Sequence, residues 1–270
     1  MKTKHLRLMQ RAYVILFFCF MYLPIAYMIV FSFNQSKGYS LFTGFTLKWY
    51  TSLFHNASIL HALWVSLEVA LISAIIATVL GTAASLGIAS MSRKSRLLVT
   101  NITYIPVVNP EIITGISLML LFVAYQRFAG GLDFLPDNIM GLPTLLIAHI
   151  TFNIPYVILS VGPKLRQMDR NLVDAAMDLG CTWMQAFWKV IIPEIKPGIV
   201  SGALTAFTMS IDDFVISYFT AGSSSSTLAM TIYGMTKKKV TPEINAISTL
   251  LFATVLILLI VINLREASQE

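Results

Sequence analysis

The chain has 270 residues, of which 56% are hydrophobic and only 12% charged, whereas a soluble domain carries about 25% charged residues. Its apolar residues come in long unbroken runs, so lipid is the solvent it is built for, and a water-soluble enzyme or binding domain is excluded. The net charge of +6 does not signal nucleic acid, because the basic residues lie in the segments between the runs.

The first run, residues 12–33, is 22 residues without a charge. At about 1.5 Å per residue it crosses the roughly 30 Å hydrocarbon core. Lys2, Lys4, Arg7 and Arg11 precede it as they would a signal peptide, but the stretch is too long and lacks an Ala-x-Ala ending, which predicts an uncleaved first span. Further runs cover 62–89, 97–125, 143–162, 198–219 and 244–264, for six spans in all. The third, punctuated by Pro106 and Pro110, is also readable as an interfacial piece followed by a shorter helix from Pro110. Residues 1–11 and 265–270 form short tails outside the single transmembrane domain of 12–264.

Lys and Arg resist translocation, so their distribution sets orientation. With the N-terminus inside, thirteen of the 19 basic residues fall on the cytoplasmic side, and an N-in, C-in topology follows. Lys237, Lys238 and Lys239 break the rule on an outer loop. They form either a solvated patch or, with Glu243, a dock for an acidic external partner. Small residues (Gly81, Ala84, Ser85 and Gly87, then Gly198 and Gly202) let helices approach closely. Cys19 and Cys181 show neither CxxC spacing nor a His/Cys cluster, so no disulfide or metal site is predicted, and no cofactor motif is present.

The loop of residues 163–197 is the most informative segment. Asn171 is placed to cap a short helix with Asp174 in its first turn, and Gly180 to end it in the left-handed conformation. Thr182 and Gln185 then read as a capping box opening a second helix, and Pro193 as its stop. Ala175 and Ala176 leave one face low, while Phe187 and Trp188 supply apolar bulk. Such a loop is not a slack connector.

This segment resembles the signature of ABC importer permeases: Glu-Ala-Ala, three residues, Gly, nine residues, Ile-x-Leu-Pro. Asp174, Ala175, Ala176 and Gly180 match, followed by Val190, Ile191, Ile192 and Pro193, with Asp for Glu and Val and Ile for Ile and Leu. The resemblance implies a type I ABC importer (MetI-like) permease fold, an all-α six-helix bundle. It also implies that this loop sits in a cleft of a cytoplasmic ATPase. Nearly the whole chain is similar to the spermidine/putrescine (polyamine) permeases of the PotC type. Residues 45–50, Asn109-Pro110-Glu111, His149 to Phe152 with Pro155, Ser210 to Phe214, and 241–246 carry that similarity. The implied partners are a sister permease in a heterodimer, two ATPase subunits and an extracytoplasmic solute-binding protein in a bacterial cell membrane. Related permeases for thiamine, iron or similar solutes share the scaffold.

Asp212 and Asp213 bear on the solute. They lie about 18 Å along the fifth run from Val200, in a stretch where a carboxylate costs about 2.5 to 3.5 kcal/mol near the bilayer centre. On a continuous helix neighbours point about 100° apart. One is expected to face a water-filled path, where it suits a cationic solute, and the other to accept hydrogen bonds from a neighbouring helix; a purely structural pair is the alternative. Glu111 either lines a cavity at a broken helix or simply stabilises a helix N-terminus. Glu68 reads as snorkelling or paired, and His149 and Asn153, one turn apart, as bonding across helices or binding a ligand. Tyr218, Phe219 and Tyr233 fit either cation–π contacts at the outer mouth or an ordinary interfacial belt.

No Gly-x4-Gly-Lys-Ser/Thr run exists, so ATP must be hydrolysed by another polypeptide. An intramembrane aspartyl protease would need its two carboxylates on separate elements. An ion-coupled secondary transporter would show internal repeats, which are not seen.

Overall fold

A computed structural model describes residues 2–38, 41–129, 140–169, 171–238 and 241–267. The described residues are almost wholly helical, and the one β-type pairing among them is an isolated antiparallel bridge between Asn34 and Phe45. In chain order the helices are α1 (Lys2–Phe31), α2 (Lys48–His55), α3 (Ala57–Ser90), α4 (Arg93–Val108), α5 (Glu111–Ala129), α6 (Leu142–Gln167), α7 (Asn171–Asp178), α8 (Trp183–Ala186), α9 (Ile192–Ile211), α10 (Val215–Thr220), α11 (Leu228–Lys238) and α12 (Pro242–Ala267). Five stretches are long and apolar enough to cross a membrane: Met9–Phe31, Ala57–Ser90, Glu111–Phe128, Leu142–Gln167 and Trp183–Ile211. The sixth expected span falls on α12, whose described apolar stretch, Pro242–Ile257, is shorter.

Two expected spans are not continuous. The 97–125 run divides at Asn109-Pro110, because Pro110 forces Asn109 into an extended conformation (ψ 136°) and so ends α4. The 198–219 run divides at residues 212–214, between α9 and α10. Asp212 and Asp213 therefore do not sit on one regular helix, and the expected 100° relation does not apply.

The chain forms two compact units. One gathers the residues up to Leu60 with Ile232–Leu259. Here α1 presents its aromatic side chains outward, among them Phe17, Phe18 and Phe20, as a lipid-facing helix does. The described residues after it gather around Asn34, which is fully buried. Asn34 Nδ2 donates to the carbonyls of Gly38 and Leu41 at 3.1 and 3.0 Å, and its Oδ1 accepts from the Thr43 amide at 2.9 Å. The Trp49 indole N–H donates to the Asn34 carbonyl at 2.7 Å. A buried amide with its groups satisfied in this way specifies one loop conformation.

The other unit gathers His61–Thr231 with the stretch from Ile260 on, and α6 is at its packing centre. A side-chain carbon at Gly81 of α3 would lie 2.7 Å from Val157, and one at Gly198 of α9 would lie 3.0 Å from the Ser160 carbonyl oxygen. Glycine thus lets α3 and α9 reach the backbone of α6. Gly87, read as part of the same stripe, has nothing within 4 Å and does not serve this contact. Ala74, Ala77, Val157, Val161, Ile195 and Ala206 fill the core between these helices. At the α3–α4 turn the Arg96 guanidinium donates to the Ala89 and Met91 carbonyls at 2.6 and 3.0 Å, closing the C-terminal end of α3.

Candidate functional site

In the loop after α6, the residue that caps α7 is Asp169 and not Asn171. The Asp169 carboxylate accepts from the Asn171 amide at 3.0 Å, and Asn171 is itself the first helical residue. A cap must stand outside the helix whose amides it satisfies. Asp174 lies in the first turn, exposed, beside exposed Ala175 and half-buried Ala176.

The end of α7 is a Schellman motif. Cys181 donates its amide to the Ala176 carbonyl at 3.1 Å, and Gly180 donates to Met177 at 2.9 Å. Gly180 has φ +88° and nothing within 4 Å of where a Cβ would be. Glycine is therefore required by backbone conformation and not by space. Next, Thr182 Oγ accepts from the Gln185 amide at 3.3 Å while Gln185 Oε1 accepts from the Thr182 amide at 3.0 Å, a reciprocal capping box. The outer surface of the loop is apolar and exposed: Leu179 is 87% exposed, Trp183 60% and Trp188 62%. Phe187, expected to add to that bulk, instead packs half-buried on the core around Ile191 and Ile195.

Pro193 does not stop the second helix. After α8 the chain makes a π-helical turn, Phe187–Ile191, and runs on as α9, so that Trp183–Ile211 is one helical stretch of 29 residues. Proline has no N–H to donate, yet it does not end the helix, because it follows directly on the wider π turn. The π turn before it lets Ile192 donate to the Phe187 carbonyl, taking up the geometry that a proline disturbs in an ordinary α-helix. Val190 and Ile192 are half-buried along this stretch and Pro193 is exposed. The loop is thus joined without a hinge to a membrane helix that ends at Asp212.

At that end the two aspartates part company. Asp212 is exposed, whereas Asp213 is 7% exposed. Asp213 accepts from the amides of Ile216 and Ser217 at 3.2 and 2.8 Å and from Ser217 Oγ at 2.9 Å, capping the start of α10. His149 Nε2 of α6 lies 3.0 Å from Ser217 Oγ and 3.6 Å from the Asp213 carboxylate. One turn along α6, Asn153 Nδ2 donates to Ser210 Oγ at 2.7 Å, and Ser210 pairs with Ser73 of α3 at 3.0 Å. Thr144 Oγ donates to the Thr220 carbonyl at 2.8 Å. The result is a buried polar seam along α6.

Glu111 opens α5 just after the Pro110 break and is exposed. It lies within electrostatic reach of both Asp212 and Tyr156. Glycine again permits the approach: a Cβ at Gly115 of α5 would lie 2.9 Å from Phe219 of α10. Tyr218 is 53% exposed, its ring 5.4 Å from Phe214 and 5.5 Å from Phe219. Glu68 is half-buried on α3. Of the three consecutive lysines, Lys237 is exposed with its ammonium 4.8 Å from the Tyr233 ring centroid, Lys238 ends α11, and Lys239 lies outside the described residues. Glu243, in the first turn of α12, is half-buried and accepts from Ser52 Oγ at 3.1 Å. No group of three or more His, Cys, Asp or Glu able to hold a metal occurs among the described residues.

Residues 77–267 match the family described as binding-protein-dependent transport system inner membrane component. The chain belongs to this permease family. The permease is 38% identical over 244 residues to the putrescine transport system permease protein PotI of Escherichia coli (strain K12), covering 90% of this chain and 85% of the relative. It is 34% identical over 254 residues to the spermidine/putrescine transport system permease protein PotC of the same strain, covering 94% and 92%. To PotC of Haemophilus influenzae it is 30% identical over 256 residues, covering 95% of each. Among solved structures, it matches a chain of a bacterial ABC transporter involved in the import of the acidic polysaccharide alginate with a TM-score of 0.74 at 14% identity, over 99% of this chain and 95% of that one. A chain of the MetNI methionine ABC transporter in an inward-facing conformation matches at 0.58 with 18% identity, over 76% and 93%. The fold is therefore that of the ABC importer permeases, and the permease is a multi-pass inner-membrane transport component, not an enzyme.

Reading the sequence missed Ser73 and Ser217, and named Ser210 only for the family resemblance, although the three build the seam. The available signal was weak: isolated small hydroxyl residues inside apolar runs, a pattern that interhelical hydrogen bonding uses and that ordinary packing uses as well.

Proposed function

We propose that this permease forms half of the translocation path of an ATP-driven polyamine importer. It works as a heterodimer with a sister permease, two cytoplasmic ATPase subunits and an external solute-binding protein, in an N-in, C-in topology. The observation that carries the cationic solute is the exposed pair Glu111 and Asp212, each at a helix break and within electrostatic reach of the other. Uncompensated carboxylates at membrane depth are costly and mark solute pathways, and Tyr218 adds an exposed π face for an ammonium group. Relatives named for putrescine and spermidine narrow the cation to a polyamine. Asp213, surrounded by protein donors, serves the architecture of the path.

The loop from Asp174 through Ala175, Ala176 and Gly180 to Val190, Ile192 and Pro193 is the ATPase-coupling element. Its exposed apolar side chains supply the contact, and the continuous helix from Trp183 carries ATPase cleft closure to Asp212. Lys237 to Lys239 attract the acidic face of the binding protein, while Glu243 fixes the start of α12 through Ser52.

The test is uptake into proteoliposomes holding the complete transporter, with binding protein outside and ATP inside. Putrescine and spermidine should stimulate ATP hydrolysis and accumulate, and thiamine and ferric iron should not. Stimulation by either of the latter, with none by polyamines, would reassign the solute within the same family.

A further inference from the structure

The break between α9 and α10 is gripped from both sides by a single helix. Asn153 of α6 donates to Ser210, the penultimate residue of α9, and His149, one turn away on the same helix, meets Ser217 of α10 at 3.0 Å. Between these two contacts lie Asp212 and Asp213. His149 and Asn153 are both fully buried.

Donor and acceptor counting sets the direction of the bonds. The single hydroxyl proton of Ser217 goes to Asp213 Oδ2 at 2.9 Å, so Ser217 Oγ is the acceptor toward His149 and the imidazole carries its proton on Nε2. His149 Nδ1 has no hydrogen-bond partner, which fits a bare lone pair better than a second buried N–H. The chain of donation runs from His149 Nε2–H to Ser217 Oγ–H to the Asp213 carboxylate.

We infer that His149 and Asn153 are positioning residues that splint the break between α9 and α10 and so aim the Asp212 carboxylate into the solute path. Neither side chain touches solute; they act through the backbone on either side of Asp212. The 29-residue helix from Trp183 ends at this splint, so a displacement of the loop arrives where α6 holds the break. The far end of α10 is held separately, by Thr144 on the Thr220 carbonyl and by α5 at Gly115, so loss of these bonds loosens the break at 212–214 itself, and Asp212 would sample several directions.

This inference rests on the reading of Asp212 as a path residue, and the experiment separates the two. In the complete transporter, with Cys19→Ser and Cys181→Ser, an Asp212→Cys thiol is titrated with a water-soluble methanethiosulfonate reagent. His149→Leu and, separately, Ser217→Ala are expected to change the modification rate at least five-fold. His149→Gln, which keeps a neutral donor near the Nε2 position, is expected to restore the parental rate. With Asp212 intact, His149→Leu should raise the KM for putrescine about ten-fold relative to the parent, and His149→Gln should recover it. An unchanged thiol rate in both His149→Leu and Ser217→Ala overturns the splint even if putrescine is transported. Altered thiol rates rescued by His149→Gln uphold it even if putrescine proves to be the wrong solute. Should His149→Leu fail to assemble, the rate in Ser217→Ala, which changes one atom, decides the matter.

Discussion

Gly202 of α9 lies against Val157 of α6 so closely that a side-chain carbon there would stand 3.3 Å from the Val157 Cα atom. The two helices meet backbone to backbone, and α6 has little freedom to recede because Gly81 of α3 presses on Val157 as well. Overpacking such a contact costs typically 1–3 kcal/mol. Gly202→Ala is expected to lower the thermal midpoint of the detergent-solubilised transporter measurably, and Gly198→Leu to abolish assembly. Gly87→Ala, with open space around it, should be neutral or slightly stabilising by helix propensity. Equal midpoints for Gly202→Ala and Gly87→Ala, together with normal assembly of Gly198→Leu, would contradict the packing described.

At Gly180 the cost of substitution is purely conformational. An L side chain at φ +88° is strained by roughly 1–2 kcal/mol, yet meets no neighbour. Gly180→Val is therefore expected to loosen the α7–α8 turn while leaving the membrane helices intact. Normal amounts of assembled protein should hydrolyse ATP with little solute import. Gly180→Asn, more tolerant of left-handed geometry, should fall between. The ratio of ATP hydrolysed to solute imported is the measurement, and an unchanged ratio in Gly180→Val would remove the turn from the coupling role.

Thr182 and Gln185 satisfy each other's amides, so their contributions are shared. Thr182→Ala should destabilise the start of α8 by about 1 kcal/mol. Adding Gln185→Ala should cost less than the sum of the two single changes, because the first already breaks the box. Hydrogen exchange of the amides at 182–186 reads this directly, and strict additivity would argue against the reciprocal cap.

The neighbouring aspartates are expected to fail differently. Asp213→Asn replaces an acceptor of three protein hydrogen bonds, where bonds to a charged group are worth about 1.5–3 kcal/mol. Lower protein yield and a lower thermal midpoint should result. Asp212→Asn, at an exposed position without such partners, should leave yield and midpoint unchanged and raise the KM for putrescine, and Glu111→Gln should do likewise. Loss of stability in Asp212→Asn, with no change in uptake by the surviving protein, would transfer Asp212 to the structural class.

The segment between α1 and α2 is organised by one amide. Asn34→Ala withdraws acceptors and donors from Gly38, Leu41 and Thr43 together, leaving polar groups unpaired at a cost of about 1–3 kcal/mol each where they remain buried. Limited proteolysis of the detergent-solubilised protein should then cut between residues 35 and 47 much faster than in the parent. An unchanged rate would mean that the Trp49 contact and the backbone bridge between Asn34 and Phe45 hold the segment without the side-chain amide.

Local signals were readable from residue order. Composition and run length declared a membrane solvent, since 20 or so consecutive apolar residues have no other stable use. Gly180 and the Thr182–Gln185 pair announced a turn and a helix start, because capping and left-handed backbone are decided within a few residues of chain. What happens at Pro193 and at Asp212-Asp213 was not local. A proline reads as a stop unless a π turn precedes it, and nothing in residues 187–191 names that turn. The division of labour between the two aspartates depends on His149 and Ser217, 64 residues upstream and 4 downstream of Asp213, which meet only after α6 packs against α9 and α10. By itself the sequence determined that this chain crosses a membrane and carries a capped helix–turn–helix loop. Tertiary structure decided that the loop and a membrane helix form one continuous element and which carboxylate at its far end is exposed, because buried polar groups take their partners from whichever helix is packed beside them.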